Sequence, residues 1–293
     1  MEIKESKGRK IFNLCNILFM LGLMVVTVYP ILYILFASVS DSTLLVAHRG
    51  LLLKPQGINF ETYSMVFENP MILRGYLNTL FIVVAGTAVN LIMTSLGAYV
   101  LSRKNLMFNN FFLFIVMFTM FFSGGLIPSY LNIQSLGMLN TYWSLILPGA
   151  IATMNLIIMR TSFMSIPESL EESATIDGAN HLVILFRIVL PLSLPVVAVM
   201  ILYYGVGHWN SWFGATIYLK DREMFPLQVI LREILLQNDT EAMTQGVSAV
   251  DHRNISETVK YAVIVVATLP VLCVYPFLQK YFVKGVMIGA VKG

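Results

Sequence analysis

Charged side chains are scarce in this 293-residue sequence: 12 % of positions are Asp, Glu, Lys or Arg, against 57 % that are apolar. A soluble domain carries roughly 25 % charge, so this chain holds too little polar surface to coat a water-exposed fold. A mean hydropathy of +0.76 places the apolar surplus in lipid. Cysteine is nearly absent. Cys15 and Cys273 stand in apolar runs near opposite ends, which excludes a disulfide framework, and no Cys/His spacing forms a metal site. The net charge of +3 is too small and too scattered for a nucleic-acid surface. Catalytic signatures are missing too: no G-x-x-x-x-G-K-[ST] phosphate loop, no H-E-x-x-H, no G-x-S-x-G. Gly205-Val206-Gly207 is a bare G-x-G inside an apolar stretch. No catalytic, metal-ligating or cofactor-binding residue is expected.

What is abundant is long uncharged sequence. A bilayer core of about 30 Å needs about 20 helical residues. Stretches of that order predict an all-α, polytopic protein with six spans near 11–38, 75–102, 108–127, 141–163, 190–216 and 260–280. The third and fourth are separated by turn signals at Gly124, Gly125, Pro128 and Gly137. Strict apolar–polar alternation is missing, which excludes a membrane β-barrel. The first run is too long for a signal-peptide core and lacks a small-residue cleavage site, so it is read as an uncleaved helix. With the 1–10 segment inside, inner segments hold eleven Lys and Arg and the longer outer segments hold eight. Both termini are therefore expected in the cytoplasm, with a C-terminal tail over 284–293 and an external loop over 217–258. That loop has a net charge of −3 and an amphipathic pattern at Leu227, Ile230, Leu231, Ile234 and Leu235. It is expected to cover the outer mouth and to touch an external partner.

No span carries Asp, Glu, Lys or Arg in its interior, Arg160 standing near the end of 141–163, and His208 is the one titratable candidate of interest, which disfavours an ion-coupled carrier. A membrane-embedded enzyme would need clustered Asp, His or Cys at span ends, and none is present.

The informative stretch is 165–191. Ser165 with Glu168 has capping-box spacing and Pro167 suits a first turn, predicting a helix over about 166–176. Asp177-Gly178 ends it with a left-handed cap. Asn180 then caps a second helix whose Leu182, Leu185, Phe186 and Val189 share one face. The product is a helix-turn-helix with Glu168, Glu171, Glu172 and small residues on its first arm.

This stretch resembles the EAA loop of permease subunits of ATP-binding-cassette importers, roughly E-A-A, three residues, G, nine residues, I-x-L-P. Here it stands as Glu172-Ser173-Ala174, Gly178 and Ile188-Val189-Leu190-Pro191, with Ser173 replacing the first alanine. Further segments are similar to the carbohydrate-uptake branch. They are Ala98-Tyr99-Val100-Leu101-Ser102-Arg103, Trp209-Asn210-Ser211-Trp212, Pro226-Leu227-Gln228 and the tail from Tyr281-Phe282-Val283-Lys284-Gly285 to Gly289-Ala290-Val291-Lys292-Gly293. Phe122-Ser123-Gly124-Gly125-Leu126-Ile127-Pro128 resembles the subgroup for complex oligosaccharides such as plant or algal polysaccharide fragments. The resemblance implies a bacterial cytoplasmic-membrane permease for a sugar or oligosaccharide. Its partners would be a second EAA-type permease, two cytoplasmic ATPases and an external solute-binding protein, with no cofactor of its own. It assigns ATPase coupling to Glu168, Glu171, Glu172, Ser173, Ala174, Asp177, Gly178, Ile188, Leu190 and Pro191, and the tail to the ATPase pair. Another solute, such as a peptide or amino acid, stays open. Tyr203, Tyr204, Trp209, Asn210 and Trp212 offer aromatic faces and polar groups for sugar rings. An interfacial aromatic belt and helix packing account for the same residues.

Overall fold

A computed structural model describes residues 6–237, 257–273 and 276. Among the described residues every regular element is helical. They fall into two compact units, one drawn from the described residues within 1–70 and 231–269 and the other from those within 71–230 and 270–293.

In the first unit, α1 (Lys7–Ser38) runs 32 residues, and Ser6 caps it by accepting from the Arg9 amide. Ala37 and Ser38 are its only buried residues. A helix that is apolar all round and unburied by its own chain fits lipid. Asp41 caps α2 (Ser42–Ala47), and α3 (Glu61–Glu68) follows. A small core of Ala37, Leu45 and Leu52 is lined by Tyr33, Phe36 and Tyr261. Tyr33 meets Tyr261 edge-on at 5.8 Å. Tyr261 lies on a helix over 257–273, the part of the expected sixth span that the structure describes.

In the second unit, α4 (Pro70–Ser102) is an unbroken helix of 33 residues. α1 and α4 are the two described helices that are long and apolar enough to cross a membrane alone. Each of the three stretches expected next as a span is interrupted by a bend. α5 (Asn109–Phe121) turns by 113° into α6 (Leu126–Ser135). α7 (Trp143–Ile146) and a 3-10 turn at Leu147–Gly149 meet α8 (Thr153–Met164) at 52°. After α9 (Glu168–Ile176), α10 (His181–Ile184) leads through a π-helical turn at Leu185–Val189 into α11 (Leu190–Leu192). That run then bends by 89° into α12 (Leu194–Trp209). α13 (Phe213–Tyr218) follows, and α14 (Leu227–Gln237) begins in this unit; within the stretch expected over 190–216, α12 ends at Trp209. The breaks fall at Gly124-Gly125, Pro148-Gly149 and Pro191 to Pro195. Gly125 has φ +84°, and proline removes a helical donor.

Broken backbone inside a membrane needs partners for its freed polar groups. α4 supplies them. Asn90, fully buried, donates from Nδ2 to the carbonyls of Gly149 (2.7 Å) and Ala150 (2.9 Å). Its Oδ1 bonds His208 Nε2 at 2.6 Å. One turn on, Thr94 Oγ1 bonds the Tyr204 hydroxyl at 2.6 Å, and that hydroxyl accepts from the Ala152 amide at 3.2 Å. Small residues let these elements close on α4. A Cβ at Gly86 would sit 2.5 Å from His208 Nε2, and one at Gly97 2.7 Å from Leu156.

On α14 most of the expected amphipathic face is buried: Leu227, Ile230, Leu231 and Ile234 are, while Leu235 is half-buried. The Leu227 amide donates to Thr79 Oγ1 at 2.8 Å, and Asn78 Nδ2 donates to the carbonyls of Glu223 and Phe225. The remainder of the expected external loop, 238–256, lies outside the described residues, as does the tail 284–293.

Candidate functional site

α9 and α10 form the two arms of the helix-turn-helix, and the turn between them has the expected chemistry. α9 ends at Ile176 with Asp177 as its cap, and Gly178 takes φ +83°. Nothing lies within 4 Å of a Cβ built at Gly178, so its need for glycine is purely conformational. The Gly178 and Ala179 amides donate to the Thr175 and Ala174 carbonyls, closing the helix end. Asn180 Oδ1 accepts from the Val183 amide at 2.9 Å and caps α10.

Two local expectations are not met in full. The capping box is not formed: Pro167 holds the cap position of α9 without a side-chain bond, and the Ser165 hydroxyl instead donates to the Ser162 carbonyl. Ser165 belongs to the end of α8, which competes for it. The face expected on the second arm is only half met, with Leu185 and Val189 buried. Leu182 and Phe186 are exposed, whereas Ile184, Leu185 and Val189 are buried with Ala98, Met159, Phe163 and Met200. A π turn carries more residues per turn than an α-helix, so the 3.6-residue pattern read from sequence rotates out of register over Leu185–Val189. Ile188 and Leu190 are half-buried, and Pro191 is exposed on the first turn of α11.

The carboxylates of the first arm divide into two kinds. Glu171 is part-buried and pairs with Arg103 just beyond the end of α4. Glu168 pairs with Lys104 at 2.8 Å. Glu172 is exposed, and no hydrogen bond or ion pair holds it among the described residues. Arg103 is held on several sides: its guanidinium lies 4.3 Å from the Tyr99 ring centre and donates to the Tyr99 carbonyl and to Ser102 Oγ. Burial pulls that guanidinium below its ordinary value, opposed by the nearby Tyr99 and Glu168. The second arm touches the same helix end, since the Tyr99 hydroxyl bonds His181 Nδ1 at 3.3 Å. These groups line a cleft of about 670 Å³ bounded by Arg103, Asn105, Phe163, Glu168, Glu172 and His181.

The outer surface of the helix-turn-helix is apolar in places. Ile176 is 87 % exposed at the tip of α9, with Leu170, Leu182 and Phe186 also exposed. Ser173 is exposed and its hydroxyl donates to the Ser169 carbonyl, while Ala174 tucks against the core. The first arm thus presents an exposed acid beside exposed apolar side chains.

Residues 105–288 match the family described as binding-protein-dependent transport system inner membrane component. The chain belongs to that family. Among curated relatives, the permease is 45 % identical to protein LplC of Bacillus subtilis (strain 168) over 99 % of this chain and 97 % of that protein. It is 43 % identical to the polygalacturonan/rhamnogalacturonan transport system permease protein YtcP of the same strain, over 97 % of this chain and 99 % of the relative. Its fold matches a chain in the crystal structure of a bacterial ABC transporter involved in the import of the acidic polysaccharide alginate. That match has a TM-score of 0.87 and 34 % identity, covering 96 % of this chain and 99 % of the other.

The aromatic residues considered for sugar contact are not brought together. Tyr204 is buried in the Thr94–Ala152 knot, and Trp209 is buried with its ring 6.1 Å from Tyr76. Tyr203 and Asn210 are exposed, and Trp212 stands edge-on to Phe213 at 5.5 Å. Arg103 and Asn90 are the residues that sequence reading missed.

Proposed function

We propose that this permease forms half of the membrane path of an ATP-driven importer for acidic oligosaccharides, such as fragments of plant or algal polysaccharides. A second EAA-type permease would supply the other half. Two cytoplasmic ATPases would supply the energy, and an external binding protein would deliver the solute. The observation that carries this reading is near-full-length likeness, in sequence and in fold, to carriers whose names include polygalacturonan and alginate. The reading has six spans with both termini inside, and 165–191 facing the cytoplasm as the docking element. Its first arm offers Glu172, Leu170 and Ile176 to a groove on the ATPase. This chain itself hydrolyses nothing.

Uptake by cells expressing the complete transporter tests the solute class. Labelled oligogalacturonides or alginate oligomers should accumulate with ATP, and neutral maltodextrins of equal length should accumulate more slowly. Uptake confined to peptides or amino acids would remove the carbohydrate reading.

A further inference from the structure

Between the docking element and the membrane interior stands one rigid body. α4 is unbroken over 33 residues, about 50 Å at 1.5 Å per residue. Each of the three bent spans described above meets a break along its length. At its end α4 holds both arms of the helix-turn-helix: the first through Arg103–Glu171 and Lys104–Glu168, the second through Tyr99–His181. Further along, the same helix holds the break before α8 through Asn90 and α12 through His208 and Tyr204. Arg103 is packed in place by Tyr99 and Ser102, so its position is that of the helix end and not of a loose side chain.

We propose that Arg103 is a positioning residue that fastens the docking arm to α4, so that α4 carries movement of the ATPases to the broken spans. In this arrangement Glu171 is spent on an internal pair and Glu172 is the acid that meets the partner. The inference rests on the docking reading above, because it presupposes that α9 sits on the ATPase. It reaches beyond that reading by assigning Glu171 inward and by making α4, rather than the second arm alone, the receiver of motion. Ion pairs at a hinge transmit force only if both partners are held, and the part-buried Arg103–Glu171 pair meets that condition better than the exposed Lys104–Glu168 pair.

The test uses the complete transporter with its ATPases and binding protein, carrying Arg103→Gln, Glu171→Gln or both. Solute moved per ATP hydrolysed is measured in vesicles, together with the ATPase retained on purification. Each single variant should keep its ATPases and lower solute per ATP about fivefold, the factor given by a coupling within the usual range for contacting pairs. The double variant should be no worse than either single one, because both remove the same link. Unchanged solute per ATP in both singles, or a double loss equal to the product of the two, would overturn the proposal. So would loss of the ATPases from Glu171→Gln alone, since that would turn Glu171 outward. A wild-type complex that holds no ATPase would instead refute the docking reading, which keeps the two failures apart.

Discussion

Replacing Asn90 by Leu should destabilise the membrane domain more than any surface change in the molecule. The side chain is fully buried and serves three partners at once: two carbonyls at the break before α8 and the His208 ring. Leucine fills the volume but leaves those partners unpaired where no water replaces the bonds. Single intramembrane bonds average well under the cost of a buried unpaired group, so the total is about 2–4 kcal/mol. Gly86→Val strikes the same knot from one turn away, because its Cβ would displace the His208 ring. Heating the detergent-purified permease and measuring the folded fraction should show both variants melting earlier. The double variant should fall short of the sum, as contacting residues do.

At the proposed docking element, Gly178→Val and Glu172→Lys should each abolish uptake while leaving the permease inserted. Valine at φ +83° strains the turn by about 1–3 kcal/mol, although no neighbour obstructs its Cβ. Asparagine tolerates that backbone region better than other non-glycine residues, so Gly178→Asn should retain much of the uptake. Glu172→Lys changes an exposed acid that pairs with nothing among the described residues. Its effect therefore reads on the ATPase contact and not on the fold. Both variants should lose the ATPase subunits on purification, measured by their ratio to permease. A normal ratio with persistent uptake in both would mean that the turn and Glu172 do not dock.

What could be read from sequence was local. The Asp177-Gly178 turn and the Asn180 cap involve atoms within a few residues, and both stand in the structure as expected. Long apolar runs gave α1 and α4 because hydropathy needs no partner. The failures share a cause. Asn90 meets carbonyls 59 and 60 residues away and Arg103 meets Glu171 68 residues away, so neither pairing leaves a local spacing. Ser165 was claimed by the preceding helix, and a π turn at 185–189 shifted the buried face away from Leu182 and Phe186. Two signals were available. Gly75, Gly86 and Gly97 recur every eleven residues along one stripe of α4 and mark the seam where neighbours approach. Tyr99 and Arg103 stand four apart, the spacing at which a cation rests on a ring.

Coupling through α9 requires that it meet an ATPase in the cytoplasm. A single cysteine at Ile176, the exposed tip of α9, in a chain whose Cys15 and Cys273 are replaced, tests that contact within the assembled transporter. A short bifunctional thiol–amine reagent should join this residue to an ATPase subunit, and an impermeant thiol reagent should not reach it from outside intact cells. Labelling from outside, or an assembled complex in which Ile176→Cys never joins the ATPase, would contradict the account.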